Sequence, residues 1–170
     1  MTTRREALRI AAASVAWAMW PWPARAALPA ATEASLKQAD LIYIATRRKD
    51  GSLSTIKPVW FYYQGDGKLF FTTSPDSWKA KRIKAGSPLY IWVGAEDGPF
   101  VEGHPQATTD AALIDKMGAA YAQKYWIAWL GFFKPRSNRV DDGKTYAYEV
   151  ALEATEPPQK KNARPVTGDQ

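Results

Sequence analysis

Short apolar segments separated by tight polar turns run through most of the chain. Leu41–Arg47, with Ile42, Tyr43, Ile44 and Thr46, has the β-branched and aromatic content of a strand. Lys49-Asp50-Gly51-Ser52 reads as a turn, with Asp-Gly as its hairpin signal. Leu53–Tyr63 continues as a second, longer strand. Pro58 within it demands an edge or a bulge, because proline has no N–H for a ladder. Gln64-Gly65-Asp66-Gly67 is another tight turn, and Lys68–Thr73 a third strand. Leu89–Val93, Pro99–Thr108 and Lys144–Glu153 complete six strands, the last alternating Tyr146, Tyr148 and Val150. Helices are expected over Glu33–Ala39 capped by Thr32, over Trp78–Ala85 ended by Gly86, and from Thr109 or Asp110 to about Ala122. An apolar, aromatic helical piece follows over Lys124–Phe133. Hairpin connections dominate. The expected architecture is therefore mainly β with α insertions, a six-stranded antiparallel sheet able to close into a small barrel and so remove its edges.

The first 26 residues follow a different pattern. Arg4, Arg5 and Arg9 precede an apolar run from Ile10 to Trp20, and Ala24-Arg25-Ala26 is a small-x-small cleavage site. This is the layout of a signal peptide. This run of eleven residues reaches only about 16 Å as a helix, short of a bilayer core of about 30 Å. The paired arginines, with Thr3 before them and Leu8 after, match a twin-arginine export signal. Cleavage near Ala26, a periplasmic or extracellular location and no stable membrane insertion afterwards are the expectation. Residues 27–155 then form one domain, and 156–170, a Pro/Lys/Asn-rich stretch, read as a disordered tail.

Composition narrows the chemistry. The chain has 170 residues, about one domain, and 46% are hydrophobic, enough for a sizeable core. The net charge is +6, and losing residues 1–26, with four basic and one acidic side chain, leaves +3. A mildly basic protein without a basic stripe interleaved with aromatics gives no reason to expect nucleic acid. The absence of cysteine removes disulfides, thiol nucleophiles and thiolate metal sites. With His104 as the sole histidine, neither a zinc site nor a Ser-His-Asp constellation is expected, and His104 as a haem ligand is a remote reading.

The segment Leu69–Arg82 carries the chemistry. A strand ends in Thr72 and Thr73, enters a helix start at Ser77, and presents Lys79, Lys81 and Arg82. Free N–H groups at a helix start, hydroxyls on the strand end and a nearby cation together suit a phosphate group. The same lysines would equally make a solvated helix face.

Three blocks in order, Ala45-Thr46-Arg47, Pro58-Val59-Trp60-Phe61 and Thr72-Thr73 with Ser77-x-Lys79-x-Lys81, resemble the pyridoxamine 5'-phosphate oxidase-like split-barrel family, which binds FMN or a deazaflavin. The resemblance spans roughly residues 36–155. It implies flavin-ring contacts at Lys57, Pro58, Val59 and Trp60, and phosphate contacts at Thr72, Thr73, Ser77, Lys79 and Lys81. It implies a homodimer with the cofactor at the interface, where Trp92 and Gln106 could meet the partner's flavin. The activity implied is flavin hydride or electron transfer on a small substrate, with a flavin-, deazaflavin- or haem-binding protein without turnover as the alternative. Two departures are visible. The arginine-rich ending of the true oxidases is missing, which argues against pyridoxal chemistry. Trp78 stands where those enzymes carry Arg, which leaves FMN and deazaflavin both open.

Overall fold

The computed structural model describes residues 27–125 and 134–158. The expected signal peptide, residues 126–133 of the aromatic piece Lys124–Phe133 and residues 159–170 of the tail lie outside them. Seven strands are seen: β1 (Ile42–Thr46), β2 (Lys57–Val59), β3 (Tyr62–Gly65), β4 (Lys68–Thr73), β5 (Leu89–Val93), β6 (Phe100–Thr108) and β7 (Tyr146–Glu153). The helices are α1 (Ala30–Gln38), α2 (Trp78–Lys84), α3 (Ala111–Lys124) and a short α4 (Ser137–Asp141). No helix among the described residues is long and apolar enough to cross a membrane.

All strand pairs are antiparallel, in the order β2-β1-β5-β6-β7-β4-β3. The outermost strands, β2 and β3, are joined only by Trp60 and Phe61. The three steps from Val59 to Tyr62 span at most about 11 Å, so the two ends of the sheet lie close together. The sheet therefore curls into a barrel with an unpaired seam. The sequence reading of Leu53–Tyr63 as one strand is corrected here, and six strands become seven. The extended stretch is divided between two ladders, leaving β1 after Val59 and joining β4 at Tyr62. Pro58 sits on β2, at the sheet's edge, opposite Tyr43.

Alternation places the core inside the barrel. Ile42 and Ile44 of β1, Leu69 and Phe71 of β4, Leu89, Ile91 and Val93 of β5, and Tyr148, Val150 and Leu152 of β7 form one buried cluster. Leu36 of α1 and Ile83 of α2 pack against it. β5 is buried on both faces, because Tyr90 and Trp92 pack on the outside with Ala45, Tyr43 and Phe100. Gly103 of β6 faces inward at the tightest point. A Cβ there would lie 2.6 Å from Val150 Cγ1 and 2.8 Å from Ile91 Cδ1. Both neighbours are fully buried. Gly103→Ala is expected to lower stability by about 1–3 kcal/mol through overpacking, read from the urea midpoint. An unchanged midpoint would mean that the interior can yield there.

Local signals account for several ends. The β3–β4 hairpin turns through Asp66 (φ 53°) and Gly67 (φ 67°), the doubly left-handed pair that matches the twist of its strands. Asp110 caps α3 by accepting the Leu113 N–H at 3.1 Å. The expected Thr32 cap is corrected: α1 starts at Ala30, after Pro29, and Thr32 is buried within the helix. α4 was not expected from the sequence.

Candidate functional site

Helix α3 seals the seam with two tyrosines. Tyr121 Oη donates to the Trp60 carbonyl at 2.7 Å. Tyr125 Oη donates to the Asp40 carbonyl at 2.5 Å and accepts the Phe61 N–H at 3.4 Å. The Tyr125 ring stacks on Trp60 at 4.4 Å, nearly parallel, and Tyr121 meets Trp60 edge-on at 6.0 Å. Burial pushes the Tyr125 phenol up to about 12 and Tyr121 well above its usual value, so both stay protonated as donors. The seam thus satisfies its backbone groups with side chains and holds β2 and Trp60 in a fixed place.

Beside the seam lies a cavity of about 720 Å³. Pro58, Val59 and Trp60 line one side and Thr72 and Thr73 another, with Lys79 between the elements. Tyr121 and the segment from Lys134 to Thr145 complete it. A second cavity of about 340 Å³ adjoins it, lined by Thr46, Arg48, Lys57, Ser77 and Arg82 among others. Lys79 lines both cavities.

The local chain explains this position of Lys79. β4 ends at Thr73, and Ser77 caps α2 by accepting the Ala80 N–H at 3.1 Å. Ser77 Oγ also lies 3.1 Å from Thr73 Oγ1, tying the helix start to the strand end. Ala80 and Ile83 face the barrel, which leaves Lys79 beside β4 with its ammonium 5.6 Å above the Phe71 ring. Burial lowers its pKa to about 8. Among the described residues no carboxylate lines either cavity, so a cation held at this cost is poised for an anion.

Of the residues singled out in the sequence, Pro58, Val59, Trp60, Thr72, Thr73 and Lys79 meet in the larger cavity, and Lys57 and Ser77 join Lys79 in the smaller. Lys81 lines neither. It is exposed, with its ammonium 5.2 Å over the Trp78 ring. Trp78 is 70% exposed and borders the smaller cavity. Trp92 packs on the outer face of the barrel, 5.2 Å from Phe100, and Gln106 is exposed on β6 opposite Glu149. Neither reaches the cavities within one chain. His104 lies 3.3 Å from Glu153 on the surface, and no metal-binding cluster exists among the described residues.

Sequence reasoning missed Lys134, Arg136, Arg139 and Lys144, which line the larger cavity. Their signal was four cations within eleven residues. It went unread because nothing local links that stretch to β4. It also missed Thr46 and Ser54 of the smaller cavity. Ser54 Oγ accepts the Thr46 N–H at 3.0 Å, and Arg82 Nη1 donates to Thr46 Oγ1 at 3.4 Å.

No known family profile matches the chain, and no curated protein matches it in sequence. Solved structures do match. A Listeria innocua protein provisionally described as a pyridoxamine 5'-phosphate oxidase aligns with a TM-score of 0.51 at 14% identity, over 71% of this chain and 90% of its own. An F420 reductase aligns with a TM-score of 0.51 at 22% identity, over 75% and 97%. HupZ of Group A Streptococcus aligns with a TM-score of 0.50 at 11% identity, over 75% and 90%. The seam, the strand order and these alignments agree: the chain has the split-barrel fold of the pyridoxamine 5'-phosphate oxidase-like proteins.

Proposed function

We propose that the two adjoining cavities form one elongated site for FMN, and that the protein is a flavin-dependent oxidoreductase acting on a small substrate. The observation that carries the reading is the half-buried cation Lys79, which lines both cavities between the β2 edge and the hydroxyls of Thr72, Thr73 and Ser77. The residues fit the group. Lys79, Lys57 and Ser77 would hold the phosphate in the smaller cavity, and the Pro58–Trp60 edge would support the ring in the larger. The larger volume is within the range of about 300–1,000 Å³ usual for cofactor sites. FMN, when bound, supplies the hydride or electron transfer, so no side-chain acid or base is required of the protein. The chain's part is to neutralise the phosphate, orient the ring against a rigid β2 edge and keep water out at the tyrosine-sealed seam.

Reconstitution tests this directly. Purified protein mixed with FMN should retain the two-band visible absorption of a flavin after gel filtration. Retention of a deazaflavin in preference to FMN would move the reading to that cofactor, and failure to retain either would end it. Two further parts of the proposal are a homodimer, in which Trp92 and Gln106 of one copy meet the site of the other, and export of the folded protein. Analytical ultracentrifugation and the N-terminal sequence of the exported form test them.

The pH dependence follows from Lys79. The FMN phosphate is already largely dianionic at pH 7. As pH rises past about 8, flavin-free protein loses the Lys79 proton, and binding must then restore it. FMN affinity is expected to be about tenfold lower at pH 9 than at pH 7, read by calorimetry, and this slope should vanish in Lys79→Gln. In flavin-free protein the linkage has the opposite consequence. The unfolded chain holds this proton up to 10.5 and the folded one only to about 8, so this group adds stability as pH rises between them.

A further inference from the structure

We infer that the end of the barrel around Trp78 is a docking surface for a bilayer of anionic phospholipid. The inference is independent of the flavin reading above. Cations gather at this end from two stretches of chain. Residues 46–57 carry Arg47, Arg48, Lys49 and Lys57 against Asp50, and residues 74–87 carry Lys79, Lys81, Arg82 and Lys84 against Asp76. Eight basic and two acidic side chains make this end +6. Residues 27–170 as a whole hold 19 basic and 16 acidic side chains, so the remainder, with 11 basic and 14 acidic, is −3. A charge so polarised turns one end of the molecule toward a negative partner. Even with a cofactor phosphate on Lys57 and Lys79, six cations remain there.

Tertiary contacts bring the two stretches together. Arg82 Nη1 donates to Thr46 Oγ1 at 3.4 Å, and Ser87 Oγ accepts the Arg47 N–H at 2.8 Å. Helix α2 is thereby fixed beside the loop that leaves β1. Lys57 of β2 lies opposite Ile44 of β1, close to the same loop. Among the described residues none of the eight cations forms an ion pair, whereas Lys37, Lys68 and Lys144 elsewhere each hold a carboxylate. Asp50 is engaged by Ser52, accepting its N–H at 2.9 Å and its hydroxyl at 2.7 Å. Trp78 stands amid these charges and is 70% exposed. Lys81 Nζ and Arg82 Cζ lie 5.2 and 5.6 Å from the centre of its ring. An indole has an apolar body and one N–H, which suits the headgroup level of a bilayer. Lysine and arginine stems lie along that boundary while their charged ends meet lipid phosphates. A nucleic acid strand would call for successive exposed rings along a basic groove, and α2 presents one.

The probes are vesicles of phosphatidylcholine alone and of phosphatidylcholine mixed with phosphatidylglycerol, added to the full chain. Wild type should partition onto the anionic vesicles in preference to the neutral ones, and added salt should weaken this. Lys49→Gln/Lys81→Gln/Lys84→Gln should weaken it about tenfold or more. These three lysines are exposed and line neither cavity, so the thermal midpoint and FMN affinity of the variant should match wild type. All variants carry the same first 26 residues, so differences between them report on this end alone. The emission of Trp78, taken as the difference between wild type and Trp78→Phe, should shift to shorter wavelength on anionic vesicles. That signal belongs to Trp78 whatever else of the chain touches the bilayer. Equal partitioning of wild type and the triple variant, equal partitioning onto both kinds of vesicle, or an unshifted Trp78 emission overturns the inference. So does binding of an oligothymidylate by a wild type that ignores anionic vesicles. A dimer that dissociates in Trp78→Ala overturns it too, because a second copy would then cover this surface.

Discussion

Lys79→Ala weakens FMN binding by about 10- to 100-fold, corresponding to about 1.5–3 kcal/mol for a lost charged hydrogen bond. Lys79 is the cation with the most at stake, because it is largely withdrawn from water and its pKa is lowered by that burial alone. A half-buried charge facing a phosphate interacts in a less screened medium than an exposed one. Lys57 is exposed and should matter less on truncation, and Lys81, resting over Trp78, should not matter at all. The fold should survive the change. Removing a desolvated ammonium also removes its desolvation cost, so the thermal midpoint of flavin-free Lys79→Ala should match or exceed that of wild type. Equilibrium titration with FMN decides the matter. Affinity equal to wild type would remove the phosphate from Lys79 altogether.

Phe71→Ala lowers stability by about 3–5 kcal/mol, the cost of truncating a fully buried aromatic. Typical domains hold only about 5–15 kcal/mol, so the variant should be close to unfolding at physiological temperature. Phe71 is central for a structural reason. It lies on β4, opposite Tyr148 of β7, and its ring stacks on Tyr148 at 5.4 Å inside the barrel. β4 pairs with both β3 and β7, so a cavity there loosens three strands. It would also disturb Thr72, Thr73 and the ground beneath Lys79. Phe71→Leu, which keeps most of the volume, should retain most of the stability. Urea unfolding of the two variants tests this, and a loss below about 1 kcal/mol for Phe71→Ala would mean that the interior repacks readily.

These expectations draw on different depths of the chain's information. The turn at Asp66-Gly67, the Asp110 cap and the Ser77 start of α2 were legible because each is settled by groups within four residues. The alternation of β4, β5 and β7 was legible because the barrel interior reads every second residue. The strand break at Trp60–Phe61 was not. Leu53–Tyr63 is continuously compatible with extended chain, and only the tertiary pairing decides where it passes from the β1 ladder to the β4 ladder. The groups that hold the crossing, Tyr121 and Tyr125, lie some sixty residues away. The start of α1 was misplaced for a related reason: Thr32 looked like a cap but is buried within the helix.

The candidate site divides in the same way. The sequence by itself determined an antiparallel, barrel-forming chain and a phosphate-type cluster at Thr72–Lys79, because a strand end, a helix start and a nearby cation are local neighbours. Only the tertiary structure decided that Lys79 is half-buried and lines two cavities. It alone brought Lys134, Arg136, Arg139 and Lys144 to the larger cavity, and it left Lys81, Trp92 and Gln106 away from both. The physical reason is range. Hydrogen bonding and side-chain alternation act between near neighbours and leave a periodic trace in sequence. Curvature, seam closure and the press of α3 on residues 134–135 are set by packing between segments that no local pattern connects.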